Sequence, residues 1–209
     1  PDMLLLDKIL LWNEKNDIRP IICFNKCDLA PQKGQMLLEI YQKAGYCAFC
    51  NSNINSDMAG WGFLSKELSG KATVLAGPSG VGKSSLINAM FPDVHLETGQ
   101  ISDKLGRGKH TTRFAQLLAL GEENTFLADT PGFSLLELPH MTEEELQAGF
   151  GEIAPLAQHC RFQLCLHDKE PGCAVKEAVA AGQIDGERYK RYLYLLEQIR
   201  QQKERWEND

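Results

Sequence analysis

The amino-acid sequence predicts an α/β domain followed by a smaller, mainly helical domain, and three observations predict it. Short apolar runs of strand length occur at residues 18–24, 46–50, 72–76 and 125–128, the first with the β-branched content of a buried parallel strand. Helical patterns lie before the first run, between the first and second, and between the third and fourth, at about residues 2–15, 32–44 and 84–90. Three of the runs end in polar or glycine-bearing loops: Asn25-Lys26-Cys27-Asp28, the stretch 77–84, and Asp129-Thr130-Pro131-Gly132. Ligands of open α/β sheets sit beyond the carboxyl ends of strands, so these loops are the candidate site. After residue 138 the pattern changes. Thr142-Glu143-Glu144-Glu145 reads as a helix start, acidic in its first turn, and a terminal helix carries Tyr189, Tyr192, Leu193, Leu196 and Ile199 at helical spacing. That stripe suits packing on the domain better than RNA stacking. The expected division is 1–138 and 139–209.

A chain of 209 residues with 43% hydrophobic content has room for one full α/β domain and an appendage. A net charge of −6 argues against a wholly basic RNA-coating protein, so any nucleic-acid contact is expected to use local basic patches or a domain outside this sequence. No segment is long and apolar enough to span a membrane and no cleavable signal pattern is visible, so a cytoplasmic protein is expected, with a monomer as the expected state. The chain opens at Pro1 without an initiator Met and reads as having a cut or trimmed start.

The stretch 77–84, GPSGVGKS, has the spacing Gly-x4-Gly-Lys-Ser between a strand and a helix, as a phosphate loop requires. Its glycines, Gly77, Gly80 and Gly82, let backbone N–H groups turn inward around phosphate oxygens, with Ser79 and Val81 between them. The following helix start adds partial positive charge, Lys83 reaches the outer phosphates, Ser84 is the expected Mg²⁺ ligand, and Ser85 completes the set. A glycine-rich turn alone would have the same local look without the strand and helix around it.

Asn25-Lys26-x-Asp28 supplies base choice. An aspartate at this strand end can accept two hydrogen bonds from guanine N1–H and the exocyclic amine, whereas adenine has no donor pair on that edge. The tetrapeptide is also compatible with an ordinary strand-ending turn. At Asp129-Thr130-Pro131-Gly132, Asp129 can hold Mg²⁺ through water and Gly132 can offer its N–H to a γ-phosphate. Between the phosphate loop and this strand end lies the polar stretch 106–113, GRGKHTTR, which fits a threonine-based switch: Thr112 is the expected Mg²⁺ ligand, with Thr111 as the alternative, and a flexible basic loop is the plain reading.

An ordinary GTPase carries the base reader after the phosphate loop and DxxG. Here it comes first, which defines a circularly permuted P-loop GTPase domain. With NKCD, GPSGVGKSS, GRGKHTT and DTPGF in that order, and a Cys/His cluster behind them, the chain resembles the circularly permuted ribosome-assembly GTPases of the RsgA/YjeQ group over essentially its whole length. The resemblance implies GTP hydrolysis to GDP with Mg²⁺ in late assembly of the small ribosomal subunit. It also implies contact with that subunit and its rRNA in which the zinc-bearing domain helps, and an OB-fold preceding the GTPase domain, none of which is in this sequence. Two other readings stay open: a nucleotide-gated RNA- or protein-binding module with negligible turnover, and a permuted GTPase acting on another ribosomal target. The family places its second guanine contact near residues 51–56, usually as a Ser followed by a small residue. The local sequence Cys50-Asn51-Ser52-Asn53 departs from that pattern, and Ser52 is the expected contact.

The cluster Cys160-x4-Cys165-x-His167-x5-Cys173 offers three thiolates and one imidazole, a complete tetrahedral set for a closed structural Zn²⁺ site with no position left for catalytic water. Pro171-Gly172 supplies the turn that returns the last ligand. Cys47-x-x-Cys50 lies in a strand-like run, where alternation explains it better than redox chemistry, and Cys23 and Cys27 read as packing positions. Seven cysteines with a metal set fit a reducing compartment better than a disulfide framework.

The catalytic residue is the least conventional element. Many GTPases position water with a Gln after DxxG, but Phe133 stands there and its ring can neither donate nor accept the necessary hydrogen bond. His110 is the candidate, beside the switch threonines, and the resemblance places a histidine in this motif. A solvated loop residue or an RNA contact is the alternative. Gly80 occupies the position where potassium-activated relatives carry Asn, which leaves potassium dependence open.

Overall fold

The computed structural model describes residues 1–52, 58–91, 116–120, 124–129 and 135–207. Helix α1 (Met3–Lys15) starts where the Asp2 carboxylate accepts the Leu5 N–H at 3.0 Å, satisfying a donor that the helix itself cannot. Strand β1 (Ile21–Phe24) begins only after Pro20, which has no N–H to give a sheet, so it is shorter than the apolar run predicted. Helix α2 (Pro31–Lys43) opens on a proline whose missing N–H costs nothing at the first helical position. Strand β2 (Cys47–Cys50) follows, then α3 (Met58–Leu68), β3 (Ala72–Leu75), α4 (Lys83–Met90), β4 (Gln116–Ala119) and β5 (Phe126–Asp129). The remaining elements are α5 (Glu143–Ala148), α6 (Ala154–Ala157), α7 (Ala174–Ala180) and α8 (Gly186–Glu207). The sequence pattern predicted no element at α3, whose segment carries Gly60 and Gly62, nor at β4, α6 or α7, which run to seven residues or fewer.

Strands β1 and β2 pair in a two-stranded sheet, and a second sheet has the order β3-β5-β4. β3 and β5 are parallel, with Ala72 opposite Phe126 and Leu75 opposite Asp129. β4 runs antiparallel to β5, placing Gln116 opposite Asp129 and Ala119 opposite Phe126. Because side chains alternate along a strand, Leu127 and Leu118 share one face, and there they meet Ile87 and Phe91 at α4. Ile87, Leu120 and Leu127 are buried at the centre of that cluster. The end of β3, where the phosphate loop begins, is thereby anchored to the end of β5.

The chain forms two compact units. One comprises Pro1–Ile22, Gln35–Ala48 and Leu136–Asp209; the other comprises Cys23–Gly34 and Phe49–Leu135. In the first, Leu11 of α1 joins Leu146, Phe150, Ile153, Val175, Tyr192, Leu195 and Leu196 in one core. The stripe predicted on the last helix is packed there: Tyr192, Leu196 and Ile199 are buried, and Tyr189 and Leu193 lie against them. Arg188 of α8 is only 2% exposed and pairs with Asp7 of α1 and with Glu152, while Arg191 also binds Asp7. The Tyr41 hydroxyl of α2 donates to Asp7 Oδ1 at 2.6 Å, and the Arg188 guanidinium lies 4.8 Å and 4.6 Å from the ring centres of Tyr41 and Phe150. Burial works against the Arg188 charge, yet the Asp7 and Glu152 carboxylates raise its pKa above the ordinary arginine value. α5 begins with the expected acidic turn, closed by a full capping box in which Glu145 N–H donates to Thr142 Oγ1 and Thr142 N–H to Glu145 Oε2.

Candidate functional site

The site grows from three strand ends. Past β1, Lys26 adopts a left-handed backbone conformation (φ 61°), a turn that a bulky residue enters only when its surroundings hold it. Lys26 N–H donates to Asn25 Oδ1 at 2.9 Å, and Lys26 Nζ donates to the Gly80 carbonyl at 2.9 Å. Asn25 Nδ2 donates to the Val81 carbonyl at 3.0 Å, so two side chains of the NKxD stretch grip the backbone of the phosphate loop. Asp28 sits in a short 3₁₀ turn (Cys27–Leu29), and the Ser52 hydroxyl donates to its Oδ1 at 2.7 Å. The structure therefore gathers Asn25, Lys26, Asp28 and Ser52 in one place, with Asn51 as an addition that no sequence motif had singled out. An amide flanking the expected Ser52 was the available signal.

In the phosphate loop, Gly80 (φ 73°) and Gly82 (φ 101°) both occupy conformations that side-chain-bearing residues rarely adopt. Gly82 caps α4, which starts at Lys83 and carries Ser84 and Ser85 in its first turn. Lys83 Nζ donates to the carbonyls of Gly77 at 2.9 Å and Pro78 at 3.0 Å, which holds the ammonium inside the loop, while Ser79 lies exposed at the loop's turn. Asp129 ends β5 directly opposite Leu75, two residues before Gly77. Sheet register thus brings the phosphate loop and the predicted Mg²⁺-associated aspartate to the same strand ends. His110, Thr111, Thr112 and Gly132 lie outside the described residues.

Cys160, Cys165, His167 and Cys173 have their ligand atoms within 4.8 Å of one another. Cys160 Sγ lies 3.5 Å from His167 Nδ1 and 3.8 Å from Cys173 Sγ, and His167 Nδ1 lies 3.3 Å from Cys173 Sγ. Bonds of about 2.3 Å to sulfur and about 2.0 Å to nitrogen give tetrahedral edges of roughly 3.5–3.8 Å, so this donor set fits one Zn²⁺. Burial holds the His167 pKa below the ordinary histidine value, which favours the neutral form that ligates. Burial also pushes the Cys165 thiol up to about 12, a cost to its thiolate that a bound cation would offset. Several groups shape the cradle. Cys173 caps α7 and receives the Lys176 N–H at 3.5 Å; Glu170 accepts the N–H groups of Leu166 and Asp168, both at 2.9 Å. Tyr189 and Tyr192 hydroxyls donate to the carbonyls of His167 at 2.5 Å and Leu166 at 3.0 Å. Gly172 (φ 66°) makes the predicted turn, and its carbonyl accepts the Arg161 N–H at 3.0 Å. Glu170, Tyr189 and Tyr192 were not legible as contributors, because each acts on backbone rather than on the metal.

The other cysteines are simpler. Residues three apart on a strand point to opposite faces, so Cys47 and Cys50 of β2 do not form a facing pair. Cys23 is pushed up to about 12 by burial, then by the neighbouring Cys27 and Cys50, as suits an inert packed thiol.

A base reader tied to a phosphate loop that comes after it in sequence defines a circularly permuted GTPase fold. Similarity to known proteins agrees. A family model described as RsgA GTPase matches residues 1–139. The chain is 47% identical to the small ribosomal subunit biogenesis GTPase RsgA of Moorella thermoacetica, covering 95% of this chain and 68% of that protein. It is 44% identical to the RsgA of Shouchella clausii, covering 97% and 69% respectively. Among solved structures, YloQ, described as a circularly permuted GTPase, superposes with a TM-score of 0.73 at 36% identity, covering 97% of this chain and 64% of that one. YjeQ from Thermotoga maritima gives 0.73 at 35% identity, covering 95% and 66%. The chain belongs to the RsgA GTPase family, and it spans about two thirds of the length of these relatives.

Proposed function

We propose that the chain binds and hydrolyses GTP, with Mg²⁺, as part of a factor for small ribosomal subunit assembly. The observation that carries this reading is the joining of Asn25 and Lys26 to the Val81 and Gly80 carbonyls, which sets a guanine reader and a phosphate cradle at one spacing. The names of the 43–47% identical relatives supply the subunit.

Asp28 reads the guanine edge, with Ser52 setting its carboxylate, while Asn25 and Lys26 brace the loop. The backbone N–H groups of Gly77, Ser79, Gly80, Val81 and Gly82 surround phosphate, with Lys83 on its outer oxygens and Ser84 and Ser85 at the helix start. Mg²⁺ would be held by Ser84 and Thr112, with Asp129 through water, and would neutralise charge on the transferred phosphoryl group. Gly132 offers its N–H to the γ-phosphate, and His110 orients the attacking water. Cys160, Cys165, His167 and Cys173 hold one structural Zn²⁺, leaving no catalytic position there. By motif, residues 1–138 carry the nucleotide and 139–209 the metal. The expected partners are GTP and GDP and the small subunit with its rRNA. The expected state is a cytoplasmic monomer, and among the described residues no helix is long and apolar enough to cross a membrane.

Single-turnover GTP hydrolysis, measured alone and with purified small or large subunits, tests the reading. Stimulation by small subunits is expected. Binding of GTP without any turnover would favour a nucleotide-gated binding module, and stimulation by large subunits alone would reassign the target.

A further inference from the structure

Asn51 comes directly after β2, beside Ser52, the expected second guanine contact. Its backbone N–H donates to the Phe24 carbonyl at 2.8 Å, and its carbonyl accepts the Cys27 N–H at 3.0 Å, so it is tied to the chain on both sides of Asn25-Lys26. The residue is 7% exposed. Its Nδ2 donates to Asn25 Oδ1 at 3.0 Å, the oxygen that also accepts the Lys26 N–H at 2.9 Å. A carbonyl oxygen has two lone pairs, and two N–H donors on it settle which end of the Asn25 amide is which. The Asn25 Nδ2 is thereby aimed at the Val81 carbonyl, 3.0 Å away in the phosphate loop.

We propose that Asn51 is a positioning residue for guanine-nucleotide recognition, acting through Asn25 to hold the base-reading loop and the phosphate loop at the spacing that a nucleotide spans. The inference rests on the guanine-nucleotide reading above. Asn51 and Ser52 divide the work between them: Ser52 sets the Asp28 carboxylate and Asn51 sets the Asn25 amide. Without the Asn51 donor, Asn25 Oδ1 retains only the Lys26 N–H among these two, and the amide is free to turn over and release Val81. The two loops then lose a shared brace before nucleotide arrives, so the loss falls on affinity by way of Asn25.

The test is a double-mutant cycle on GDP binding in the whole chain, with Asn51→Ala, Asn25→Ala and the double variant. Asn51→Asp, which keeps the shape and lacks the donor, is a second probe in case the alanine variant misfolds. Zinc content and melting temperature control for folding. Each Asn51 variant is expected to weaken GDP by about tenfold, the scale of one buried hydrogen bond, and by no more than about twofold once Asn25 is already alanine. Unchanged affinity in both Asn51 variants, or an undiminished effect in the Asn25→Ala background, overturns the inference while leaving the nucleotide site intact. A wild-type chain that binds no GDP overturns the guanine-nucleotide reading and this inference with it.

Discussion

At the scale of single residues, chemistry is concentrated in a few groups whose neighbours decide what they do. Asp28 has one carboxylate oxygen engaged by the Ser52 hydroxyl, which restricts how the carboxylate can turn. Asp28→Asn replaces one of its acceptor oxygens with a donor, so preference is expected to move from guanine toward xanthine nucleotides in competitive binding. Undiminished GTP preference would reject the site. His110 carries the proposed water-positioning role. His110→Ala is expected to retain GTP and subunit binding and to slow the subunit-stimulated step by about tenfold or more in single-turnover measurements, within the usual range for a positioned acid–base group. Equal rates on saturating subunits would leave that task to the backbone or to the ribosome. These residue types and their spacing were readable in the sequence. Asn51 was not, because its contribution is a hydrogen bond across two strands to another side chain, and no local spacing encodes that.

At the scale of elements, loops are shaped by what pins their ends. The turn from Cys160 to Cys173 holds its ligands through Glu170 on two N–H groups, through tyrosine hydroxyls on two carbonyls, and through Gly172. One Zn²⁺ per chain is expected by elemental analysis. Cys165→Ser should lose that zinc and loosen the segment after residue 138, seen as a changed proteolysis pattern, while GDP still binds. Full zinc occupancy in this variant would defeat the assignment. The capping box at α5 is a smaller matter: Thr142→Ala is expected to lower stability by about 1 kcal/mol, read as a shift in denaturant midpoint. The helix start there was legible because Thr142 and Glu145 form a local signature. Helix α3 was not, since its glycines weaken the pattern and only packing supports it, as at buried Leu64 and Leu68.

At the scale of the molecule, the N-terminal helix and the last helix share one core. Asp7 is buried against Arg188 and Arg191, with Tyr41 beside it, across elements separated by most of the chain. Arg188→Ala leaves a buried Asp7 and Glu152 short of a partner and is expected to cost about 3–5 kcal/mol of stability by chemical denaturation. A loss below about 1 kcal/mol would show that the network is better hydrated than its burial implies. Truncation after residue 138 uncovers Asp7 to water and removes the packing around Leu11, so residues 1–138 are expected to be poorly stable without residues 139–209.

The sequence by itself determined the class of fold, the order of the nucleotide motifs and the cluster of three cysteines and a histidine, because each is written in short stretches whose residue types and spacing are dictated by local backbone chemistry. Gly-x4-Gly-Lys-Ser needs its glycines for positive φ, and four soft or imidazole ligands within 14 residues, from Cys160 to Cys173, can meet without help from afar. Tertiary structure alone decided the register that sets Asp129 opposite Leu75, the brace from Asn51 through Asn25 to Val81, and the joining of α1 and α8 around Arg188. The reason is physical: these are pairings between groups distant in the chain, and their free energy depends on burial and geometry that exist only once the core has closed.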